Sequence, residues 1–232
     1  MIVLVHGSMD RSSTFTRVVR ALGDRHVVAY DRRGYGKSAS EGPGATLHDH
    51  ADDLVALLDG RPAVVAGHSY GGDVAMVAAI ARPDLVRSLA VWEPPMPWLP
   101  WWPADTAGGV ANAAAADPAG AAEAFMRYMI GDERWDKLPP STKAARRAEG
   151  RTLVAELASV NEPAFDPAAV PVPVVVGTGS ASKPHHRGTA DALMEMLPAG
   201  AERFLVEGAD HGCHLTHPAE FARFVERARS FF

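Results

Sequence analysis

The sequence predicts an α/β fold in which a mainly parallel sheet of about six strands is flanked by helices. Two observations carry this prediction. Short runs of apolar, often β-branched residues recur along the chain, and segments with helical periodicity separate them. Strands that are apolar along their whole length are typical of parallel sheets that helices cover on both faces. The apolar runs lie at residues 2–5, 27–30, 63–66, 89–92, 172–176 and 204–206.

The strand at residues 2–5 opens the chain. Its apolar run is too short for a signal peptide and has no basic residues before it. The segments between the runs have the pattern of covering helices, and one of them ends at Arg82-Pro83 because proline interrupts a helix. These helices are predicted at residues 12–22, 46–58, 73–81, 187–197 and 218–231.

Residues 94–165 break the alternation of strands and helices. The stretch opens with a run rich in proline and tryptophan, residues 94–103, and continues with an alanine-rich pattern that favours helices. Helical segments are predicted at residues 107–116, 119–130 and 143–159. We expect a single domain, residues 1–232, in which this insertion forms a helical lid over the carboxyl ends of the strands. Ligands bind at that edge of parallel sheets.

Composition excludes several classes of partner. The 232 residues are enough for one domain with a sizeable core. A formal net charge of -5 argues against nucleic acid or an anionic membrane as a partner. Cys213 is the one cysteine, so no internal disulfide can form. The sequence has no apolar run of about 18 residues, the length that spans a membrane. We therefore expect a cytoplasmic protein whose partner is an apolar small molecule.

A G-x-S-x-G motif at residues 67–71 places Ser69 between a predicted strand and a predicted helix. In this context the motif is typical of a sharp turn that lifts the serine hydroxyl clear of the backbone. The two glycines allow neighbouring backbone to pack closely around that turn. A serine hydroxyl is a weak nucleophile unless a base lies within hydrogen-bond reach. The alternative is a serine that only caps the following helix.

The chain resembles the α/β-hydrolase superfamily over nearly its whole length, in four segments that each follow a strand: residues 6–7, 31–38, 67–72 and 208–212. The resemblance implies an α/β-hydrolase fold in which Ser69 is the nucleophile and His211 is the general base, in the order Ser, acid, His. It also implies an oxyanion hole formed by the backbone N–H groups of Tyr70 and Ser8. The haloalkane dehalogenases and epoxide hydrolases of the superfamily use an aspartate nucleophile, so a serine at position 69 argues against those reactions.

The acid of the predicted triad departs from the commonest pattern of the superfamily. Many members carry an aspartate after the penultimate strand, but residues 177–184 contain no carboxylate, and Ser180 stands near that position. Glu93 directly follows an earlier strand, where some members carry their acid. The resemblance therefore implies that Glu93 orients His211 and stabilises its charged form. Three alternatives stay open: Glu93 paired with an arginine at the hinge of the insertion, Asp210 as the acid, and a site without an acid.

Histidine and cysteine cluster near the C-terminus, and this leaves a metal site as a competing interpretation. The cluster consists of His211, Cys213, His214 and His217. Because no second cluster completes a tetrahedral set, we predict no metal and no organic cofactor. The paired histidines at positions 48 and 50, and at 185 and 186, are predicted to be exposed or to cap helices.

The run at residues 94–103 supplies candidates for substrate binding. Met96, Trp98 and Trp101 are predicted to line an apolar pocket under the insertion, although packing of the insertion onto the core explains them equally well. The sequence thus predicts a serine hydrolase that cleaves a small to medium apolar carboxylic ester, lactone or related acyl compound. Two alternatives remain. One is another reaction on the same triad, such as C–C bond hydrolysis or perhydrolysis, and the other is a non-catalytic binding protein.

Superfamily members usually have two further strands before the segment that opens this chain. The predicted sheet therefore has a different edge, and an exposed edge strand favours association with another chain. Formation of a homodimer through this edge is a hypothesis that light scattering tests.

Overall fold

The computed structural model describes residues 1–42 and 46–232, which contain one parallel six-stranded sheet. Its strands are β1 (Ile2–Val5), β2 (Val27–Tyr30), β3 (Ala63–His68), β4 (Val86–Trp92), β5 (Val174–Gly179) and β6 (Glu202–Val206). They lie in the order β2-β1-β3-β4-β5-β6, and every neighbouring pair is parallel. The predicted parallel α/β sheet is confirmed.

Helices cover both faces of this sheet. The α-helices of the described ranges are α1 (Thr16–Ala21), α2 (Leu47–Leu58), α3 (Tyr70–Ala81), α4 (Ala107–Ala113), α5 (Pro118–Ile130), α6 (Asp132–Asp136), α7 (Pro140–Ala148), α8 (Gly150–Ala158), α9 (Pro184–Met196), α10 (Cys213–Thr216) and α11 (Pro218–Arg229). Helices α1 and α11 pack on one face, and α2, α3 and α9 pack on the other. None of these helices is long and apolar enough to cross a membrane.

Strand β1 shows why the apolar runs form buried strands. Val3 and Val5 pack in the cluster with α2 and α3, whereas Ile2 and Leu4 pack in the cluster with α1 and α11. Successive side chains of a strand point to opposite faces, so a strand between two helical layers has no polar face. The absence of polar residues from the run is therefore the signature of a central strand.

The helical insertion, which comprises α4 to α8, lies between β4 and β5. Its apolar side chains form a third cluster that also contains Met9 and Tyr35, from the loops after β1 and β2. The insertion therefore packs onto loops at the carboxyl edge of the sheet. The helix predicted at residues 143–159 is instead two helices, α7 and α8. They meet at Gly150, which lies against the carbonyl of Pro118 with no room for a Cβ atom.

A buried ion pair ties this insertion to the loop after β2. Arg32 donates a hydrogen bond to Glu156 of α8, and both side chains are completely buried. Glu156 also accepts hydrogen bonds from the hydroxyls of Tyr35 (2.8 Å) and Ser8 (2.6 Å), and His50 Nε2 lies 3.1 Å from it. The prediction that His50 is exposed or caps a helix is therefore wrong. Burial alone would raise the pKa of Glu156, but the charge of Arg32 and the contact with His50 hold this pKa far below its ordinary value.

We expect Glu156→Gln to lower the free energy of unfolding near pH 7 by about 3–5 kcal/mol, because the buried guanidinium of Arg32 loses its counter-charge. The folded-state pKa of Glu156 lies below its unfolded-state value of about 4.3. Ionised Glu156 therefore stabilises the fold above that pH, and this contribution is lost as the pH falls through the folded-state pKa. Urea denaturation should show the difference between wild type and variant shrinking as the pH is lowered toward the acid range.

Glu202→Gln is the matched control for this experiment. Glu202 pairs with Arg227 on the surface, where an ion pair contributes about 0–1 kcal/mol. If Glu156→Gln lowered the free energy of unfolding by no more than Glu202→Gln does, the buried pair would not hold the insertion in place.

Candidate active site

Ser69 occupies the tight turn between β3 and α3. Its backbone has φ 54° and ψ -132°, a positive-φ conformation that costs a residue with a side chain about 1–3 kcal/mol. Gly67 lies against the backbone of Gly71, and Gly71 lies against the carbonyl of Val5, so neither position has room for a Cβ atom. The glycines of the motif therefore permit the turn, which leaves the Ser69 side chain partly exposed at the carboxyl edge of the sheet.

His211 lies in the loop between β6 and α10. Its Nδ1 is 2.9 Å from Oε2 of Glu93. With Glu93 ionised, Nδ1–H donates to this carboxylate, so the neutral ring keeps its lone pair on Nε2. The carbonyl oxygen of His211 accepts a hydrogen bond of 2.8 Å from Nε2 of His68. The ring is thus fixed through both its backbone and Nδ1, with Nε2 left to act as a base.

Glu93 is completely buried and follows β4 with φ 47°. Its Oε1 accepts three hydrogen bonds from the segment at the end of β5: from the Thr178 hydroxyl (2.8 Å), the Gly179 amide (3.0 Å) and the Ser182 hydroxyl (2.5 Å). Burial raises the pKa of Glu93, but the hydrogen bond and charge of His211, together with these donors, outweigh burial and lower the pKa below its ordinary value. His211 is the main cause of this lowering, and the Ser182 hydroxyl and Gly179 amide, from the segment that lacks a carboxylate, add to it.

The other residues considered for the acid position have different partners. The Asp210 carboxylate accepts a hydrogen bond from the Gly212 amide (2.9 Å), and the Ser180 hydroxyl accepts one from the Gly208 amide (2.9 Å). Both residues therefore stabilise loops close to His211.

A cavity of about 990 Å³ lies between the carboxyl edge of the sheet and the helical insertion. Ser8, Ser69, Tyr70 and His211 all line it, so the structure brings together four of the residues that the resemblance implicates. Glu93 lies behind His211, in the protein interior. The insertion and the segments around it supply apolar side chains to the cavity: Trp102, Phe125, Met126, Met129, Leu157 and Val160.

The three residues predicted to bind substrate do not belong to this lining in the part of the chain that the structure describes. Met96 is completely buried in the core cluster beside α2 and α3, and Trp98 packs against the same cluster and the ring of Phe165. Trp101 is 46% exposed. Trp102 is the tryptophan of this run that lines the cavity in the described part of the chain, together with Pro95, Pro97 and Pro103.

His186 is a residue of the site that sequence reasoning missed. Its ring stacks on that of His211, with centroids 4.0 Å apart and an interplanar angle of 8°. Burial and the charges of His211 and His185 lower the pKa of His186 far below its ordinary value, which keeps its ring neutral. The prediction that this residue is exposed or caps a helix is therefore wrong, because the first turn of α9 brings its ring against His211.

Potential metal ligands come together in groups that differ from the cluster of His211, Cys213, His214 and His217 seen in the sequence. Cys213 is buried in the core cluster with α1 and α11, and His217 lies beside the Thr216 hydroxyl. Within the described ranges, two sets of three side chains bring ligand atoms within 4.8 Å of one another. They are Glu93, His186 and His211, which belong to the site above, and Asp10, His68 and His214.

Comparison with known proteins gives a family match over almost the whole chain. A sequence model described as "Alpha/beta hydrolase family" matches residues 2–224. "Lipase LipV" of Mycobacterium tuberculosis is 36% identical over 96 residues, which cover 40% of this chain and 36% of the lipase. The 2-(acetamidomethylene)succinate hydrolase of Mesorhizobium japonicum is 36% identical over 93 residues, 38% of this chain and 34% of that hydrolase. These matches span about a third of the length of each relative.

Solved structures match over the full length. The crystal structure of a hydrolase from Pseudomonas aeruginosa superposes with a TM-score of 0.76 and 23% sequence identity, covering 99% of this chain and 88% of that one. At this identity the likeness concerns the fold alone.

Proposed function

Since this chain belongs to the alpha/beta hydrolase family, we propose that it is a serine hydrolase that cleaves a small to medium apolar carboxylic ester, lactone or related acyl compound. One observation carries the proposal: a strained turn presents Ser69 to the same cavity as His211, whose Nδ1 is bonded to a buried carboxylate. A positioned base is what an ordinary serine hydroxyl lacks.

In this mechanism Ser69 Oγ attacks the substrate carbonyl while Nε2 of His211 takes the hydroxyl proton. The imidazolium that forms is stabilised by Glu93, which stays ionised. His211 then donates the proton to the leaving alkoxide as the tetrahedral intermediate collapses. A water molecule, deprotonated by the same Nε2, then attacks the acyl-enzyme. His211 gives this proton to Ser69 Oγ as the acyl group leaves as a carboxylic acid, which restores the starting state.

Negative charge develops on the carbonyl oxygen during both steps. We assign its stabilisation to the backbone N–H groups of Tyr70 and Ser8. Tyr70 begins α3, so its amide has no partner within that helix. Ser8 is held by the hydrogen bond from its hydroxyl to Glu156, and the buried Arg32–Glu156 pair thereby supports this edge of the site. Each donor in such a hole contributes roughly 10²–10³ in rate.

The residues that line the cavity favour a substrate with an apolar acyl group. Among the described residues, three cations reach the cavity. Arg134 is exposed, whereas Arg146 and Lys183 have partners within the protein. Arg146 donates hydrogen bonds to the carbonyl of Met9 (2.8 Å) and to Glu149, and Lys183 donates one to the Tyr128 hydroxyl (2.8 Å). The remaining lining from the insertion is largely apolar, and apolar walls bind acyl chains through burial of their surface.

Hydrolysis of a p-nitrophenyl ester series, from acetate to laurate, tests this function. We expect turnover that peaks at an intermediate chain length. Trp102→Ala should move the optimum to longer acyl chains, because it removes an indole from the cavity wall. Trp101→Ala is the matched control, since that ring is half exposed and lies outside the lining; its optimum should equal that of the wild type. Absence of turnover on every ester by a folded protein would contradict the proposal.

A further inference from the structure

A second group of potential ligands lies beside the active site and has no part in the mechanism above. Asp10 follows β1, His68 ends β3, and His214 lies in α10, so three separate segments bring their side chains together. One ligand atom from each lies within 4.8 Å of the other two. All three residues also line the cavity that contains Ser69.

His68 is already in the protonation state that a metal ligand requires. Its Nε2 donates to the carbonyl oxygen of His211, so the proton of a neutral ring resides there and Nδ1 carries a lone pair. The residue is 5% exposed, and its Nδ1 is buried with no hydrogen-bond partner in the described part of the chain. A buried acceptor without a partner is costly, and a metal ion would satisfy it.

His214, like His68, has a buried ring nitrogen that lacks a hydrogen-bond partner in the described part of the chain. It is 2% exposed, and neither of its ring nitrogens has a hydrogen-bond partner among residues 1–42 and 46–232. Its Nε2 lies 3.4 Å from Oδ2 of Asp10, longer than the roughly 2.7–2.9 Å of a charge-assisted hydrogen bond. Packing against Phe15, with ring centroids 5.1 Å apart, holds the imidazole in this position.

The spacing of Asp10 and His214 fits two neighbouring ligands of a tetrahedral metal ion. Zinc bonds of about 2.0–2.2 Å to nitrogen and oxygen place neighbouring ligand atoms of a tetrahedron about 3.3–3.6 Å apart. The Asp10–His214 separation falls in that interval. Two neutral imidazoles and one carboxylate are also a ligand set that zinc uses, and the single negative charge partly compensates a dication.

We propose that Asp10, His68 and His214 form a binding site for a transition-metal dication of the zinc class, with its fourth coordination position open to the cavity. The set is built from strand, helix and loop residues that are already positioned, so binding requires little rearrangement. It is distinct from the group of Glu93, His186 and His211, of which Glu93 and His211 take part in the proposed reaction.

Titration calorimetry of the EDTA-dialysed full chain with Zn²⁺ tests the site, and Co²⁺ absorption reports the coordination geometry. We expect one Zn²⁺ per chain and a tetrahedral Co²⁺ spectrum. Asp10→Asn and His214→Gln should each weaken zinc binding by at least about tenfold, since loss of even an outer-shell partner costs 10–100-fold. Asp10 is partly exposed, so its variant keeps the experiment informative if the buried His214 variant fails to fold.

Two further variants test whether zinc binding depends on histidines outside the group of Asp10, His68 and His214. His217→Gln removes a nearby histidine outside the group and should bind zinc as the wild type does. His186→Gln should also retain zinc, because it belongs to the other group. The proposal is overturned if the wild type binds no Zn²⁺, if Asp10→Asn binds it unchanged, or if His186→Gln abolishes binding. Zinc binding is measured without turnover, so these outcomes are independent of the proposed hydrolase activity.

Discussion

Ser69→Ala should reduce kcat for p-nitrophenyl ester hydrolysis by at least about 10⁴-fold, because the covalent route through the acyl-enzyme disappears. The oxyanion donors and the cavity remain, so a small residual rate above the uncatalysed reaction is expected. The fold should survive, since alanine replaces only a hydroxyl that occupies the cavity edge. Steady-state kinetics together with circular dichroism measure both effects.

The matched control for this variant is Ser13→Ala, which removes an exposed hydroxyl that does not line the cavity. Its kcat should equal that of the wild type. If Ser69→Ala retained a tenth or more of the wild-type kcat, another group would be the nucleophile.

Glu93→Gln should lower kcat by roughly 10²–10⁴, as the equivalent acid-to-amide change does in serine proteases. Glutamine has the same shape and can still accept hydrogen bonds from Thr178 and Ser182 through its carbonyl oxygen. Its NH₂ group then faces Nδ1 of His211, which favours the tautomer that carries the proton on Nε2 and so removes the base. An uncharged partner also cannot stabilise the imidazolium.

Asp210→Asn tests whether Asp210, rather than Glu93, is the acid that orients His211. Asp210 bonds a backbone amide of its own loop, so its variant should keep kcat within about threefold of the wild type. A large loss in Asp210→Asn with little loss in Glu93→Gln would reverse the assignment of the acid. Small losses in both would indicate a serine–histidine pair that works without an acid.

Much of the fold was predictable because its sheet is covered on both faces. The bounds of β1 and β2 match the predicted runs. Both runs are apolar along their whole length, although β1 lies inside the sheet and β2 at its edge. The start of α3 was predicted three residues late. Gly71 and Gly72 disfavour helices, yet here they open one, because the helix packs so closely on β1 and β4 that a Cβ would not fit at Gly71.

The pairing of distant polar groups could not be predicted in the same way. His186 meets His211, and Glu156 meets Arg32, only after the insertion and α9 have docked on the sheet. One signal was present for Glu156: it follows Leu153 by three residues, so it lies on the buried face of its helix. A carboxylate on such a face requires a buried partner, although the sequence does not say which cation supplies it.

For Glu93, the position in the chain was predictable from the sequence, but the hydrogen-bond donors around its carboxylate were not. Its position after β4 was visible in the sequence, and its contact with His211 agrees with the expected role. The three donors at the end of β5 were not foreseen, because their residue types are common in any turn. Two of them, the Ser182 hydroxyl and the Gly179 amide, add to the larger effect of His211 in lowering the pKa of the buried Glu93 carboxylate.

Covalent labelling with a fluorophosphonate probe, read by intact-protein mass spectrometry and peptide mapping, tests the central claim that Ser69 is an activated nucleophile. The probe reacts with a serine whose hydroxyl is activated by a base. We predict one adduct per chain, located on Ser69, slowed strongly in Glu93→Gln and absent in Ser69→Ala. An unlabelled wild-type protein, or an adduct on another residue, would contradict the account.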